Sequence, residues 1–264
     1  MVKTILSTLL VLGLATLPTI ATAQEDSLVL YLPFDTESKD EIKDLSKHKN
    51  HGTVSGDPKW DKGKIGNALT FDATDDQVVV PTSKSLDISD KITMMAWVNP
   101  DKKLMDDWRT VVGKSPTNVL GQVTFAYDIR TDKAGNYRFS LNIGAWQSLM
   151  GPIAEIGKWT HIAGTYDGKE MVLYLNGEGI DKKLVNGKIK VIGDPVCIGN
   201  IVDAGGAGKN EYWSGLIDEV KIWDRGLSDK EVKQQMNFSR DNILAVNPQD
   251  KLATTWAKMK RPTW

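Results

Sequence analysis

Cysteine is almost absent from this sequence of 264 residues, in which Cys197 is the single thiol. One thiol cannot form an intramolecular disulfide, so stability must come from the burial of apolar side chains and, as a further contribution, from a bound metal ion. We interpret Cys197, in the strand-like stretch DPVCIGN, as a small buried hydrophobic residue. A reactive thiol is the alternative, although no histidine or basic residue stands beside it in the sequence.

An excess of charge of either sign is also missing. The 33 Lys and Arg residues nearly balance the 34 Asp and Glu residues, which gives a formal net charge of −1. Because nucleic-acid-binding proteins usually carry a dominant basic surface, we expect no nucleic-acid partner. Histidine is scarce, and His48, His51 and His161 do not follow a zinc-binding spacing. We expect His161 to be a structural residue on a strand.

Long apolar segments are lacking except at the N-terminus. There, Lys3 precedes an apolar run from Ile5 to Leu17, and Ala21-Thr22-Ala23 offers the small residues that signal peptidase accepts. The run is shorter than the roughly 20 residues that cross a bilayer. We therefore predict a signal peptide at residues 1–23, with an uncleaved anchor as the alternative. The mature chain is expected to be secreted, periplasmic or on the cell surface, without a membrane span.

What remains of the sequence alternates between apolar and polar residues in short segments, which predicts β-strands. The predicted strands are 27–34, 77–81, 91–100, 123–130, 136–144, 158–168 and 170–180. Glycine and asparagine in the connections, as in Asn176-Gly177, are typical of hairpin turns. One helix is predicted from Asp229, because Ser228 and Glu231 have the spacing of a capping box. The pattern indicates an all-β sandwich or barrel.

Three segments, in order along the chain, resemble laminin-G-like domains of the concanavalin A-like family. They are GKIGNALTFDATDDQVVVPTSKSLDISDKITMMAWVNP (63–100), KWTHIAGTYDGKEMVLYLNG (158–177) and WSGLIDEVKIWDRGLSDKEV (213–232). The resemblance implies a jelly-roll sandwich of two antiparallel sheets, with about a dozen strands and a short C-terminal helix. It also implies that the first and last strands pair. We place the domain at 24–240 and an appendix at 241–264, which Leu252 and Trp256 would pack on the sandwich.

The resemblance further implies a metal site. Relatives hold Ca²⁺ near the meeting point of the first and last strands, and Asp35 and Asp218 stand at the matching positions. A backbone carbonyl from 49–54 is expected to complete the oxygen shell that Ca²⁺ prefers. Such an ion would stabilise the fold rather than take part in chemistry. The alternative is that Asp218 caps a turn or pairs with Arg225 or a lysine.

A catalytic pair of carboxylates is not evident. Superfamily members that hydrolyse β-glucans carry a Glu-x-Asp-x-Glu strand, or the same strand with one more spacer, whose alternation puts the acids on one face. The stretch EGID (178–181) begins this pattern, but Lys182 and Lys183 follow. Alternation predicts one face with Asp218, Val220 and Ile222 and another with Glu219, Lys221 and Trp223. Asp218 therefore lacks an acidic partner at i+2, and we assign no catalytic residue.

Aromatic and polar residues around the hairpin strands form the candidate ligand site. Sugars stack on Trp and Tyr rings, while Arg, Asn and Asp bind their hydroxyl groups. The candidates are Trp108, Arg109, Tyr127, Asp128, Arg130, Arg138, Asn142 and Trp146. Trp108 and Trp146 are the first choice, with burial in the core as the alternative for both.

These features favour an exported, non-catalytic module that binds a glycan or an extracellular protein. A glycoside hydrolase or lyase with a diverged site is the first alternative. The second is an adhesion or scaffold element that binds a protein through exposed strand edges.

Overall fold

The computed structural model describes residues 26–38, 40–101, 107–114, 125–201 and 211–239. The predicted signal peptide (1–23) and the predicted appendix (241–264, with Leu252 and Trp256) lie outside these residues. Within them, no helix has the length and apolar character that a membrane crossing requires.

The first of two antiparallel sheets, sheet A, has eight strands. They are β1 (Leu28–Leu32), β4 (Lys59–Lys62), β5 (Asn67–Asp72), β7 (Ile92–Pro100), β12 (Thr160–Tyr166), β13 (Glu170–Leu175), β14 (Glu178–Leu184) and β16 (Ser214–Trp223). Their order is β14-β13-β12-β7-β16-β5-β4, and β1 also pairs with β16. Pairing of β1 with β16, in which Leu32 lies opposite Val220, confirms that the first and last strands meet.

Sheet B also has eight strands. They are β2 (Glu41–Ile42), β3 (Gly52–Ser55), β6 (Gln77–Val80), β8 (Arg109–Lys114), β9 (Tyr127–Thr131), β10 (Asn136–Ile143), β11 (Ala145–Ile153) and β15 (Val196–Ile198). Their order is β11-β10-β9-β8-β15-β6-β3-β2. Two antiparallel sheets packed face to face confirm the predicted all-β jelly-roll sandwich.

The core lies between the sheets. Val98 and Ile162 of sheet A and Ile129 and Phe139 of sheet B belong to one continuous buried cluster. Burying an aliphatic side chain of this size contributes about 1.5–3 kcal/mol. The sheets approach so closely that a Cβ at Gly164 would lie 2.2 Å from a ring atom of Phe139. Cys197 is also buried, as its sequence context predicted.

A β-bulge in β16 changes the predicted faces of the last strand. Glu219 has a φ of 54°, and the register with β7 shifts between Asp218 and Lys221. The extra residue puts Val220 and Ile222 in the core, while Asp218 joins Glu219 and Lys221 on the outer face of sheet A. The prediction that Asp218 shares a face with Val220 and Ile222 is therefore wrong.

One helix, α1 (Asp229–Met236), follows β16 and begins where it was predicted. The Ser228 side chain accepts from the N–H of Glu231, and the Glu231 side chain accepts from the N–H of Ser228, which completes the capping box. Val232 of this helix packs with Tyr31, Met95, Tyr174 and other residues of the outer face of sheet A. The helix α1 therefore covers the part of this outer face around Tyr31, Met95 and Tyr174, which we call the covered face.

Candidate functional site

Strand alternation in sheet B directs a set of polar and aromatic side chains to its outer face. Arg138 of β10 lies opposite Arg130 of β9, and Asn142 of β10 lies opposite Trp146 of β11. The intervening residues, such as Ile129 and Phe139, point into the core. This face therefore brings together residues that the sequence analysis had selected from three separate segments.

Arg130 lies at the centre of this group. Its guanidinium carbon is 4.2 Å from the ring centroid of Trp108, 4.7 Å from that of Phe125 and 5.7 Å from that of Trp146. Arg138 is 6.0 Å from the Trp108 ring. Cation–π attraction and stacking hold such an array together. We call Trp108, Phe125, Arg130, Arg138 and Trp146 the Arg130 cluster.

Carboxylates neutralise both arginines of the Arg130 cluster. Nη1 of Arg130 is 3.3 Å from Oε1 of Glu211, and its Nε is 3.6 Å from Oδ1 of Asp128. Arg138 donates from Nη2 (2.9 Å) and Nε (3.1 Å) to Oδ2 of Asp132. Burial acts to raise the pKa of Asp132, but hydrogen bonds from Asn136 and Arg138 outweigh it and lower the pKa.

Asp128 is the most buried charged group on this face. Its side chain is fully buried, and neither carboxylate oxygen has a hydrogen-bond partner in the described part of the chain. Burial raises the pKa of Asp128 to about 6, against the opposing effect of the Arg130 charge. The Ser140 hydroxyl, opposite Asp128 in the register, shares a hydrogen bond with the Ser148 hydroxyl and also acts to lower the pKa of Asp128.

Trp146 gives the Arg130 cluster its exposed surface. The side chain is 43% exposed, and its ring centroid lies 5.4 Å from that of Phe125, which is buried. Met150, four residues further along β11 on the same face, is also exposed. An exposed indole on a strand, with the half-buried Asn142 opposite it, suits a planar apolar surface bordered by hydroxyl groups.

Two of the residues predicted to bind a ligand, Tyr127 and Arg109, are not members of the Arg130 cluster. Tyr127 is fully buried in the core, and its hydroxyl donates to the backbone oxygen of Leu86 at 3.0 Å. Because β9 alternates, Tyr127 faces away from Arg130, and it leaves the set of ligand-binding candidates. Arg109 donates from Nη1 to the backbone oxygen of Tyr212 at 3.0 Å. It therefore anchors the segment that carries Glu211, next to the cluster.

Phe125 and Glu211 were missed by the sequence analysis. Glu211 is 81 residues from Arg130 in the chain, and only the fold brings the two together. The Thr110 hydroxyl also donates to Glu211 (2.8 Å), which fixes its orientation. Phe125 was part of a predicted strand, but no feature of the sequence distinguished it from a core residue.

The two predicted metal-binding residues, Asp35 and Asp218, accept hydrogen bonds from the same loop, residues 63–67. Oδ2 of Asp218 accepts from the N–H of Ile65 at 3.0 Å, and Oδ1 of Asp35 accepts from the N–H of Asn67 at 3.2 Å. A Cβ at Gly66 would lie 1.9 Å from Oδ1 of Asp35, so the loop fits tightly over the carboxylates. The structure thus brings Asp35 and Asp218 under the loop at 63–67.

The expected partners of Asp218 are engaged elsewhere. Segment 49–54 contacts other groups: the Asn50 amide donates to Val29 and Ser85, and its N–H donates to Asp44. The expected metal ligand, a backbone carbonyl of 49–54, stays a prediction. Arg225 binds Ser27 and Glu231, and Lys221 binds Glu219, so neither pairs with Asp218.

The chemistry of this pair fits a cation. Oδ1 of Asp218 is buried and has no hydrogen-bond partner among the described residues. Burial raises the pKa of Asp218 to about 8, and the charges of Glu219 and Asp35 add to this effect. A bound cation would compensate this buried negative charge, and oxygen ligands are those that Ca²⁺ prefers.

The chain belongs to the concanavalin A-like lectin/glucanase superfamily. Residues 72–233, more than half of the chain, match the laminin G family Laminin_G_3, which carries that description. This superfamily includes both lectins and glucanases, so membership defines the fold and leaves catalysis undecided.

Solved structures with the same fold are mostly binding domains. The binding domain of Paraclostridial Mosquitocidal Protein 1 has a TM-score of 0.62 and 20% identity, and the match covers 81% of this chain and 52% of that one. Domain 4 of AbnA, a GH43 extracellular arabinanase from Geobacillus stearothermophilus solved with arabinotriose, has a TM-score of 0.61 and 20% identity, with 79% and 98% covered. These identities support the common fold alone.

A curated protein also matches in sequence. Pappalysin-1 of Mus musculus is 28% identical over 142 residues, which cover 53% of this chain and 8% of that protein. Pappalysin-1 of Homo sapiens is 24% identical over 143 residues, with 52% and 8% covered. The chain therefore corresponds to a small part of these relatives.

Proposed function

We propose that this chain is an exported, non-catalytic binding module that recognises a carbohydrate through the Arg130 cluster. The observation that carries the proposal is the exposed Trp146 ring, held on β11 opposite Asn142, with the guanidinium carbon of Arg130 5.7 Å from its centroid. Stacking on the indole would supply affinity, and the polar neighbours would orient hydroxyl groups. The arabinotriose complex of the AbnA domain supports a sugar as the ligand of this fold class. Export follows from the predicted signal peptide.

A glycan array with the mature chain tests this proposal. Trp146→Ala should weaken binding by at least about tenfold, since central aromatic anchors contribute about 2 kcal/mol or more. The variant should keep its melting temperature, because much of the ring is exposed. Leu184→Ala, which truncates an exposed side chain on the edge of sheet A, is the matched control and should bind normally. Equal binding by both variants would contradict the proposal.

The hydrolase or lyase alternative makes a different prediction. Such an enzyme would release reducing or unsaturated ends from the glycan that it binds, and loss of one of two cleft carboxylates would abolish the release. Asp132, one of the carboxylates on the outer face of sheet B, is held by Arg138 and Asn136. We expect the wild-type chain to bind the glycan without cleaving it.

Protein recognition is the second candidate, and the β11 edge favours it. This edge strand, AWQSLMGPI, contains no charged residue of its own, whereas the edge strand β14 of sheet A carries Glu178, Asp181, Lys182 and Lys183. Asp181 covers one position of the β11 edge, where its carboxylate accepts from the N–H of Met150 at 3.0 Å. Charges usually protect an edge against pairing with another chain. A scaffold would form a complex or oligomer that is lost on Met150→Lys, while glycan binding would be absent.

We also propose that a calcium ion binds between Asp35 and Asp218 and stabilises the fold. The support is the buried, unpartnered oxygen of Asp218 beside the Asp35 carboxylate. A hundredfold excess of Ca²⁺ over its Kd would add about 2.7 kcal/mol of stability. Calcium should therefore raise the melting temperature and EDTA lower it. Both shifts should vanish in Asp218→Ala but remain in Asp57→Asn, which changes a separate acidic cluster formed by Asp57, Asp75 and Asp76. Unchanged wild-type melting would refute the site.

A further inference from the structure

We propose that the Arg130 cluster selects uncharged saccharides and rejects anionic ones, and that Asp128 and Glu211 set this preference by neutralising Arg130. The inference rests on the proposed function, since it names the class of glycan that the same site takes. Its basis is the charge balance of the outer face of sheet B.

The first element of this balance is Arg138. Its guanidinium makes two hydrogen bonds to Oδ2 of Asp132, and Oδ1 of the same carboxylate accepts from the N–H of Ala134 and Asn136. A carboxylate fixed by this many donors holds the arginine in place. An anionic sugar would have to compete with Asp132 for the donors of Arg138.

The second element is Arg130, which has two carboxylates and three aromatic rings around it. Glu211 and Asp128 flank the guanidinium at 3.3 and 3.6 Å, and the rings of Trp108, Phe125 and Trp146 occupy its faces. The side chain is 12% exposed. Arg130 therefore supports the aromatic rings and has little positive charge to offer an anionic ligand.

The two arginines of the Arg130 cluster and the carboxylates paired with them consequently sum to a small negative charge. Two arginines (Arg130 and Arg138) oppose three carboxylates (Asp128, Asp132 and Glu211), so the sum is 2 − 3 = −1 when all are ionised. A uronate or sialate carboxylate placed over Trp146 would meet net repulsion in addition to the desolvation of its own charge. Neutral sugar hydroxyls meet neither penalty.

Protonation of Asp128 makes the charge of this face depend on pH. Arg130 and Glu211 are the charged groups that act on it, whereas its neighbours Gly113 of β8 and Ser140 of β10 are uncharged. Its pKa of about 6 means that it takes up a proton as the pH falls below that value. Arg130 then loses one of its two compensating charges, and the site becomes more favourable to anions. Asp128 acts through Arg130 and is thus a positioning residue.

Paired ligands test the proposal directly. Affinities are measured for neutral oligosaccharides and for their uronic-acid counterparts, at pH 7.5 and pH 5, with the wild-type chain and with Asp128→Asn, Glu211→Gln and Glu155→Gln. At pH 7.5 the wild-type chain should prefer the neutral member at least about tenfold, equivalent to about 1.4 kcal/mol, because the ligand carboxylate would be repelled at this range. Asp128→Asn and Glu211→Gln should each reduce that preference about threefold to tenfold.

The pH dependence provides a readout that a structural defect would not produce. The wild-type preference should fall between pH 7.5 and 5, and Asp128→Asn should show the lower preference at both pH values. Glu155→Gln, which changes an exposed acid paired with Lys158, should match the wild type. If Asp128→Asn fails to fold, Glu211→Gln and the wild-type pH series still decide the result.

Three outcomes would overturn the inference. Preference for the uronic-acid member by the wild-type chain would refute it while leaving carbohydrate recognition intact. So would a neutral preference that neither the variants nor pH alters, because Asp128 and Glu211 would then have no role. Failure to bind any member of either series would instead refute the proposed function, and the charge argument with it.

Discussion

The two outer faces of the sandwich use similar side chains for opposite purposes. On sheet A, Lys221 and Glu219 form a salt bridge of 2.7 Å whose side chains are almost completely buried beneath α1. On sheet B, Arg130 and Glu211 pair at 3.3 Å beside the exposed Trp146. A cation, a carboxylate and aromatic rings are present on each face. The difference lies in what covers them.

On the covered face, the fold itself satisfies the charges. The ammonium of Lys221 also donates to the backbone oxygens of Gln235 and Phe238, at the C-terminal end of α1. The Tyr31 hydroxyl donates to both oxygens of Glu219 at 2.9 Å. His161 is buried beside this group, and burial together with the Lys221 charge lowers its pKa to about 3, so it stays neutral. These groups anchor the helix and are unavailable to a ligand.

The comparison shows why residue types alone do not identify a site. Trp97, like Trp146, stands on a strand among polar neighbours, with Lys64 4.5 Å from its ring centroid. Its indole N–H, however, donates to the backbone oxygen of Met236, and the side chain is buried by the helix terminus. An aromatic–cation pair becomes a candidate site only where no element of the chain covers it.

Removal of the Lys221 side chain should destabilise the packing of α1 on sheet A, and this is the largest loss of unfolding free energy that we expect. Lys221→Ala leaves Glu219 buried without its cation and removes the donor to two carbonyl oxygens at the end of α1. Breaking a buried pair in this way costs about 3–5 kcal/mol. Chemical denaturation should show this loss, while the neutral-to-anionic preference of the remaining folded protein should be unchanged.

Lys182→Ala is the matched control for this prediction. Lys182 lies on the edge of sheet A and pairs with Glu170 at 3.6 Å, but its side chain is exposed. Exposed pairs contribute little, so its stability should equal that of the wild type within error. Similar losses in the two variants would contradict the distinction between covered and open charges.

The fold could be predicted from the sequence because its signals are local. All seven predicted strand segments overlap an observed strand, and the turn at Asn176-Gly177 divides 170–180 between β13 and β14. Strands such as β4 (KWDK) and β11 (AWQSLMGPI) were missed. The first is rich in charged residues, and the second contains proline and glycine. Both are edge strands, which do not need the alternating pattern of buried strands, so the alternation could not reveal them.

The candidate site was predicted less completely, because it depends on contacts between distant segments. Trp146 and Arg138 were selected from their own strands, and the register confirms only that they share a face with Arg130. The contribution of Glu211 requires the fold of the whole sheet. The position of Asp218 was mispredicted because a bulge with a positive φ at Glu219 has no signal in the alternation.

The hydrogen bond from Tyr31 to Glu219 should make an intermediate contribution to the free energy of unfolding. Tyr31→Phe removes the hydroxyl that donates to the buried carboxylate of Glu219, and hydrogen bonds to charged groups are worth about 1.5–3 kcal/mol. Tyr166→Phe is the matched control, since its hydroxyl donates to a neutral backbone oxygen, that of Gly187. We expect Tyr31→Phe to lose more unfolding free energy than Tyr166→Phe. The reverse order would show that Glu219 does not depend on this donor.

The smallest effect concerns the capping box that starts the helix over the covered face. Burial acts to raise the pKa of Glu231, but hydrogen bonds from Arg225 and Ser228 outweigh it and lower the pKa to about 2. A carboxylate with a lowered pKa stabilises the fold above its unfolded pKa and loses that contribution as the pH falls towards 2. Glu231→Gln should therefore cost about 1 kcal/mol at pH 7 and less at pH 3, since the group is partly solvated. Urea denaturation at both pH values measures this difference. Lys233 lies on the same helix and pairs with the exposed Glu178 of β14. Glu178→Gln should show no such pH dependence. A cost for Glu231→Gln that stays constant between pH 7 and pH 3 would mean that the capping box, and with it the cover of sheet A, does not depend on this ionised carboxylate.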